Sequence, residues 1–71
     1  MTDTEKFRDV VRQKGLKYKF LAAELGITPF GLQKKIENQT EFKASEVQKL
    51  SVLLGLAELE RAQIFFAPEC D

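Results

Sequence analysis

Three side chains that suit the reading of nucleic-acid bases recur at helical spacing in the first half of the chain: Phe30, Gln33 and Lys34. Gln33 carries a donor and an acceptor together, which matches an adenine edge, and Lys34 can donate to a guanine edge or a phosphate. Phe30 either contacts a thymine methyl from the outer face of a helix or turns inward to a core. Otherwise Gln33 and Lys34 are ordinary exposed helix residues.

A second set of side chains suits contacts with phosphate oxygens, which fix the register of a protein on a nucleic acid without reading its sequence. The set begins near the start of a predicted second helix, where first-turn N–H groups attract anions. It comprises Lys17, Tyr18, Lys19, Lys35, Asn38 and Lys43. The alternative is solubilising surface charge for the lysines, and packing against Lys14 or Glu41 for Tyr18.

The formal net charge is zero, but the charges are unevenly distributed. Residues 12–43 contain seven basic and three acidic residues, residues 44–71 contain two basic and five acidic ones, and residues 1–11 add a charge of −1. A basic segment that coincides with the candidate contact residues favours attraction to phosphates. The alternative is a solvated surface of mixed charge.

The composition argues against catalysis and against bound cofactors. The chain has no histidine, one cysteine (Cys70), no phosphate-binding glycine loop and no cluster with metal-ligand spacing, so we expect neither an enzyme nor a metal site. A lone cysteine cannot form an internal disulfide. No apolar run approaches the roughly 18 residues of a membrane span, and the polar start is no secretory signal. We therefore expect a cytoplasmic protein without a membrane or small-molecule partner.

Apolar periodicity predicts an all-α fold in one domain covering residues 1–71, with no competing strand pattern. The predicted helices span residues 3–14, 18–25, 29–37, 45–54 and 57–66. Gly26 suits the left-handed end of the second helix, Thr28 can cap the third, and Pro29 fits its first position. Leu32 and Ile36 are then expected to face the core.

Other local signals mark the remaining helix ends. Thr2 and Glu5 have capping-box spacing at the start of the first helix, and Ser45 and Gln48 have it at the start of the fourth. Pro68 bounds the last helix. These signals fix where each helix is expected to begin or end.

Phe65 and Phe66 raise the possibility of self-association. Neighbouring residues diverge by about 100° around a helix axis, so both rings cannot face one core stripe. An exposed ring suggests a dimer surface, and a two-fold dimer places two reading helices about one DNA turn apart. The alternative is that the end of the chain folds back and buries both rings.

The order and spacing of several short segments carry a family resemblance over roughly residues 5–66. The segments are Lys14-Gly15-Leu16, Phe20-Leu21-Ala22, Leu25-Gly26-Ile27-Thr28, Leu32, Ile36, Glu41-Phe42-Lys43, Ser45-Glu46-Val47, Leu53-Leu54-Gly55-Leu56 and Ile64-Phe65-Phe66. Together they resemble the Cro/CI-type, XRE-like helix-turn-helix regulators, in particular their small phage and prophage members. The resemblance implies a compact lambda-repressor-like bundle of about five short helices, whose second and third helices read DNA.

The resemblance also implies a function. We expect a sequence-specific transcriptional repressor that binds double-stranded DNA as a homodimer, with base contacts from Thr28, Phe30, Gln33 and Lys34. Pro29 departs from the family, which more often has a polar residue there, and its presence removes one possible base contact. Pro29 and the zero net charge favour the alternative, a protein-binding module on the same scaffold such as an antirepressor or an antitoxin-like partner.

Overall fold

The computed structural model describes residues 1–67, which fold into five α-helices and contain no strand. The helices are α1 (Thr4–Lys14), α2 (Tyr18–Leu25), α3 (Pro29–Ile36), α4 (Ala44–Leu53) and α5 (Glu58–Phe65). The predicted all-α fold is confirmed, and each helix end lies within one residue of its predicted position. Predictions for Pro68 and Cys70 lie outside the described residues. Within residues 1–67, no helix combines the length and the apolar character that crossing a bilayer requires.

One apolar core joins the five helices. α1, α3 and α4 contribute residues at spacings of three or four, the period that keeps side chains on one helix face, whereas α2 and α5 each contribute two adjacent residues. The predicted inward orientation of Leu32 and Ile36 is confirmed, since their exposed fractions are 0% and 2%. The buried residues are Phe7, Val11, Leu21, Ala22, Leu32, Ile36, Val47, Leu50, Leu54, Ile64 and Phe65.

Three phenylalanine rings from distant parts of the chain meet in this core. Phe7 of α1, Phe42 of the loop before α4 and Phe65 of α5 have ring centroids 5.4–6.0 Å apart. Phe65 is buried and Phe66 is 65% exposed, so only one ring lies in the core, as the divergence of neighbouring residues predicts, and the alternative in which both rings are buried is wrong. As a correction to the sequence analysis, Phe65 is a core residue and does not belong to a self-association surface.

The connection between α2 and α3 follows the local sequence signals. Gly26 has the left-handed φ of +72° that ends α2, and the N–H of Ile27 donates to the carbonyl of Ala22. The Thr28 hydroxyl accepts from the backbone N–H of Gly31 at 3.0 Å, and α3 begins at the next residue. The predicted helix end and cap are therefore confirmed.

The predicted cap of α1 is wrong by one residue. Asp3, not Thr2, is the N-cap, because its Oδ1 accepts from the backbone N–H of Lys6 at 3.1 Å. Thr2 is buried, and its backbone N–H donates instead to the side chain of Asn38. The pairing of Thr2 with Glu5 was an accident of spacing, since Thr2 is held by a residue 36 positions away.

The predicted cap of α4 is also wrong. Lys43 takes the N-cap position, and its backbone N–H donates to Oε1 of Glu46 at 2.8 Å. Ser45 and Gln48 are consequently exposed residues inside the helix. Glu46 supplies the carboxylate half of a capping box without a Ser or Thr partner.

Candidate nucleic-acid interface

A groove of about 480 Å³ lies where α1, the start of α2 and the outer face of α3 meet. Three predicted contact residues, Tyr18, Phe30 and Gln33, line it together although Tyr18 belongs to a different helix. The full lining comprises Arg8, Tyr18, Pro29, Phe30, Gln33 and Ile36. The groove therefore brings one predicted phosphate contact, Tyr18, beside two predicted base contacts, Phe30 and Gln33.

The outer face of α3 presents side chains that the core does not use. Pro29, Phe30 and Gln33 are exposed, while Leu32 and Ile36 point into the core. Phe30 is 68% exposed, so of the two orientations open to it from sequence, the outward one is observed. This helix therefore has one face in the core and one face exposed to solvent.

Lys34 and Phe30 act as one unit on that outer face. The Lys34 ammonium lies 4.8 Å from the centroid of the Phe30 ring, a cation–π distance. Such a contact at an exposed site is worth about 0.5–1 kcal/mol, which favours this orientation of the flexible lysine without fixing it. The face therefore presents a positive charge directly beside an apolar ring.

Thr28 stands at the first turn of the same helix. Its hydroxyl oxygen accepts the capping hydrogen bond from Gly31, but a hydroxyl also has one hydrogen to donate. Thr28 is exposed, so this donor faces outward beside the start of α3. Capping and contact with a partner are compatible roles for this residue.

Four of the predicted phosphate-contacting residues lie at helix starts. Lys17 is the N-cap of α2 and is followed by Tyr18 and Lys19 in its first turn, while Lys43 is the N-cap of α4. All four residues are exposed. At the start of α4 the Lys43 N–H is bound by the Glu46 carboxylate. The role of these four residues in phosphate contacts stays a prediction.

Lys35 has a different environment from the other lysines. Its ammonium donates to Oε1 of Glu46 at 2.8 Å and to the carbonyl of Glu41 at 3.1 Å, and its side chain is only 13% exposed. Burial raises the pKa of Glu46, but hydrogen bonds from Lys35 and from the Lys43 backbone, together with both positive charges, outweigh burial and leave that pKa below its ordinary value. Lys35 joins α3 to α4 and is removed from the predicted set of phosphate contacts.

The side chain of Asn38 also makes hydrogen bonds within the fold. Its Oδ1 accepts from the backbone N–H of Thr2 at 2.8 Å, and its Nδ2 donates to the carbonyl of Thr2 at 2.9 Å. Asn38 has a φ of +65°, a conformation that asparagine tolerates better than most residues. The side chain fastens the start of the chain to the end of α3, so Asn38 too is removed from the predicted contacts.

Sequence reasoning missed Arg8, which lines the groove, and Glu37, which contacts the groove residues Arg8 and Gln33. Arg8 Nη2 lies 3.2 Å from Glu37 Oε2, and Gln33 Nε2 donates to the same oxygen at 3.1 Å. Nothing in the sequence links Arg8 to Glu37 across 29 positions. The one available signal was the place of Arg8 beside Phe7, at the border of the face that α1 turns to the core.

Comparison of the chain with protein-family models, with curated proteins and with solved structures found no match in any of the three. Function therefore has to be inferred from the surface itself. In and around one groove, that surface combines exposed cations, exposed aromatic rings and an oriented amide.

Proposed function

We propose that this chain is a transcriptional repressor of the phage or prophage type that binds double-stranded DNA. In this proposal, α2 and α3 form a helix-turn-helix unit and α3 enters the major groove. The observation that carries the proposal is the outer face of α3, where Phe30, Gln33 and Lys34 are presented by a helix whose other face is in the core. Reading helices of this motif contact base edges with their N-terminal residues.

The exposed residues divide into two kinds of contact. Gln33 and Lys34 reach base edges by hydrogen bonds, Phe30 contacts a thymine methyl, and Thr28 donates from the first turn. Phosphates are held by Lys17, Tyr18, Lys19 and Lys43, and by Arg8, which the groove adds to the set. The net charge of +4 on residues 12–43 supports this division, because the positive half of the chain contains most of these contacts.

Binding as a dimer completes the proposal. One reading helix of eight residues covers few bases, whereas two copies related by a two-fold axis read half-sites about 34 Å apart. Phe66, which is 65% exposed at the end of α5, supports an association surface, and Leu59 on the same helix is 70% exposed. The dimer surface lies on α5, an element separate from the reading helix.

The deciding experiment is selection of bound duplexes from a random DNA pool at about physiological salt. We expect an enriched site with two related halves about one helical turn apart. A variant carrying both Gln33→Ala and Lys34→Ala is the control, and it should lose the enrichment while keeping the fold. Absence of enrichment by the folded wild-type protein contradicts the proposal.

A protein-binding module is the second candidate, and one observation favours it. Tyr18, Phe20 and Phe30 are 39%, 44% and 68% exposed, which is more aromatic surface on α2 and α3 than phosphate contacts need. A photo-reactive residue at position 30 separates the two candidates in cells. Cross-links to DNA support the repressor, whereas cross-links to a single protein support the module.

A further inference from the structure

We propose that Glu37 is a positioning residue that orients the amide of Gln33, so that the reading helix accepts adenine and rejects guanine. The inference rests on the proposed function, since it concerns which base the same face selects. It adds to the interface a residue that is not itself a base contact. It also predicts which base stands at one position of the binding site.

The contacts around Glu37 define the orientation of the amide. Gln33 Nε2 donates to Glu37 Oε2 at 3.1 Å, and Arg8 Nη2 lies 3.2 Å from the same oxygen. Gln39 Nε2 lies 3.4 Å from the other carboxylate oxygen. An ionised carboxylate only accepts hydrogen bonds, so the Gln33 amide must turn its nitrogen toward Glu37. A half-turn of the amide would place two oxygens against each other.

The bond to Glu37 decides which hydrogen-bonding groups of the Gln33 amide remain for a base. Of its two N–H groups, one is used by Glu37, which leaves one N–H and the carbonyl oxygen of Gln33. Adenine presents an acceptor at N7 and a donor at N6, which match this pair. Guanine presents acceptors at both N7 and O6, so the carbonyl of Gln33 would face an acceptor. Adenine is therefore favoured by both hydrogen bonds, and guanine by at most one.

The charge of Glu37 supports a positioning role. A carboxylate near the phosphates of DNA is repelled, and its presence on a reading face needs compensation. Arg8 supplies that compensation from α1, and the two side chains remain 50% and 34% exposed. Arg8 thereby neutralises Glu37 while leaving its own further N–H groups free to approach a phosphate.

The plain alternative is that Gln33 and Glu37, four residues apart, only stabilise the end of α3. The two roles differ in one measurable respect. A stabilising pair affects binding to every duplex alike, whereas a positioning pair affects which base is preferred. The test must therefore measure base preference and stability separately.

The experiment repeats the selection from random duplexes with the wild-type protein and with Gln33→Ala, Glu37→Gln and the double variant. The position at which Gln33→Ala loses its base preference is the position that Gln33 reads. There we expect the wild type to prefer adenine to guanine by roughly 5- to 150-fold, the range of one good bidentate contact. Glu37→Gln should reduce that preference, because a glutamine at 37 no longer requires an N–H from Gln33, whose two N–H groups can then both turn toward the N7 and O6 acceptors of guanine. Adding Glu37→Gln to Gln33→Ala should change nothing further at that position.

Arg8→Gln is the matched control. It breaks the same ion pair and removes a proposed phosphate contact, so it should weaken binding to all duplexes alike and lower thermal stability as Glu37→Gln does. It leaves the hydrogen bond from Gln33 to Glu37, so we expect the adenine preference to remain. If Glu37→Gln does not fold, Glu37→Asp withdraws the carboxylate by one methylene and should also relax the preference.

Three results overturn the inference. Equal weakening of all duplexes by Glu37→Gln, with the adenine preference kept, makes Glu37 merely structural. Wild-type binding without an adenine preference at the position read by Gln33 overturns the inference and leaves the DNA-binding proposal intact. Failure of the wild-type protein to bind any duplex contradicts the proposed function itself.

Discussion

Lys35 and Glu46 form an ion pair, with 2.8 Å between Nζ and Oε1 and with side chains that are only 13% and 9% exposed. The same carboxylate oxygen accepts from the backbone N–H of Lys43, so one atom both joins α3 to α4 and caps α4. Loss of one partner from such a pair leaves a poorly solvated charge. This ion pair therefore fixes α3 against α4 on the side of α3 away from Phe30.

The first prediction concerns pH. The pKa of Glu46 lies below its ordinary value of 4.5, so its ionised form stabilises the fold fully above that value and loses this contribution as pH falls through the lowered pKa. We expect the free energy of unfolding, measured in urea, to decline below about pH 4.5. Glu46→Gln should be less stable near pH 7 and should show a smaller decline. An equal decline in both proteins would assign the effect to other carboxylates.

The second prediction separates two lysines. Lys35→Ala should lower the free energy of unfolding by about 3 kcal/mol, because it leaves Glu46 without its partner. Lys17→Ala should leave stability nearly unchanged, should weaken binding to all duplexes alike and should reduce the salt slope by about one. Chemical denaturation measures the stability of both variants, and binding titrations over a range of salt concentrations measure their affinity and salt slope. Unchanged stability in Lys35→Ala would return that lysine to the phosphate set.

The third prediction concerns Lys34 and Phe30. Lys34→Ala should alter which duplexes are preferred, because it removes a base-edge donor. Wild-type affinity should also fall steeply with salt, by a log–log slope of about 0.9 per phosphate contacted. Replacing thymine by uracil removes the methyl that we propose Phe30 contacts, and it should weaken binding in the wild type but not in Phe30→Ala. Binding that does not respond to salt contradicts the electrostatic part of the proposal.

The fourth prediction compares adjacent phenylalanines. Phe65→Ala removes a ring that packs on Phe7 and Phe42 and should cost about 3–5 kcal/mol, which is much of the stability of a domain this small. Phe66→Ala should change stability by no more than about 0.5 kcal/mol and should weaken self-association. Thermal denaturation and sedimentation equilibrium measure the two effects. Equal association in the wild type and Phe66→Ala would place the dimer surface elsewhere.

The fifth prediction uses the cap of α3. Thr28→Ala should cost about 1 kcal/mol and lower the melting temperature by about 4–8 °C. A methyl group at Gly31 would meet the Thr28 hydroxyl oxygen at 3.2 Å, so Gly31→Ala gains helix propensity but crowds the cap. Gly31→Ala should therefore stabilise the Thr28→Ala variant more than it stabilises the wild type. Additive effects would show that the cap yields to the methyl group without strain.

The features that the sequence predicts well depend on a residue's own backbone or on residues close to it in the chain. Gly26, Thr28 and Pro29 each act through their own backbone or through a residue three positions away, so the start of α3 can be predicted without knowing the fold. Thr2 and Asn38 are the opposite case, because each is held by a partner 36 positions away. The start of α1 and the role of Asn38 could therefore be known only from the folded chain.

The residues of the candidate site also include some whose positions local sequence predicts and others whose positions depend on the fold. Gln33 can be predicted to point outward because its position on the helix differs from that of the buried Leu32 and Ile36. Nothing in the local sequence distinguishes Lys35 from a surface lysine, because its partner Glu46 belongs to α4. Arg8 lines the groove because of how α1 packs against the other helices, and apolar periodicity alone does not predict that packing. The orientation of a side chain on its own helix could be predicted, but contacts between side chains of different helices could not.

Tyr18 lines the groove between α1, α2 and α3, and it is the only tyrosine in a chain without tryptophan. The ultraviolet emission of the protein therefore comes essentially from one ring at one place. Any molecule that covers the groove changes the signal without an attached dye, whereas events confined to α5 leave it unaltered. The chain thus contains an optical probe of the groove and none of α5.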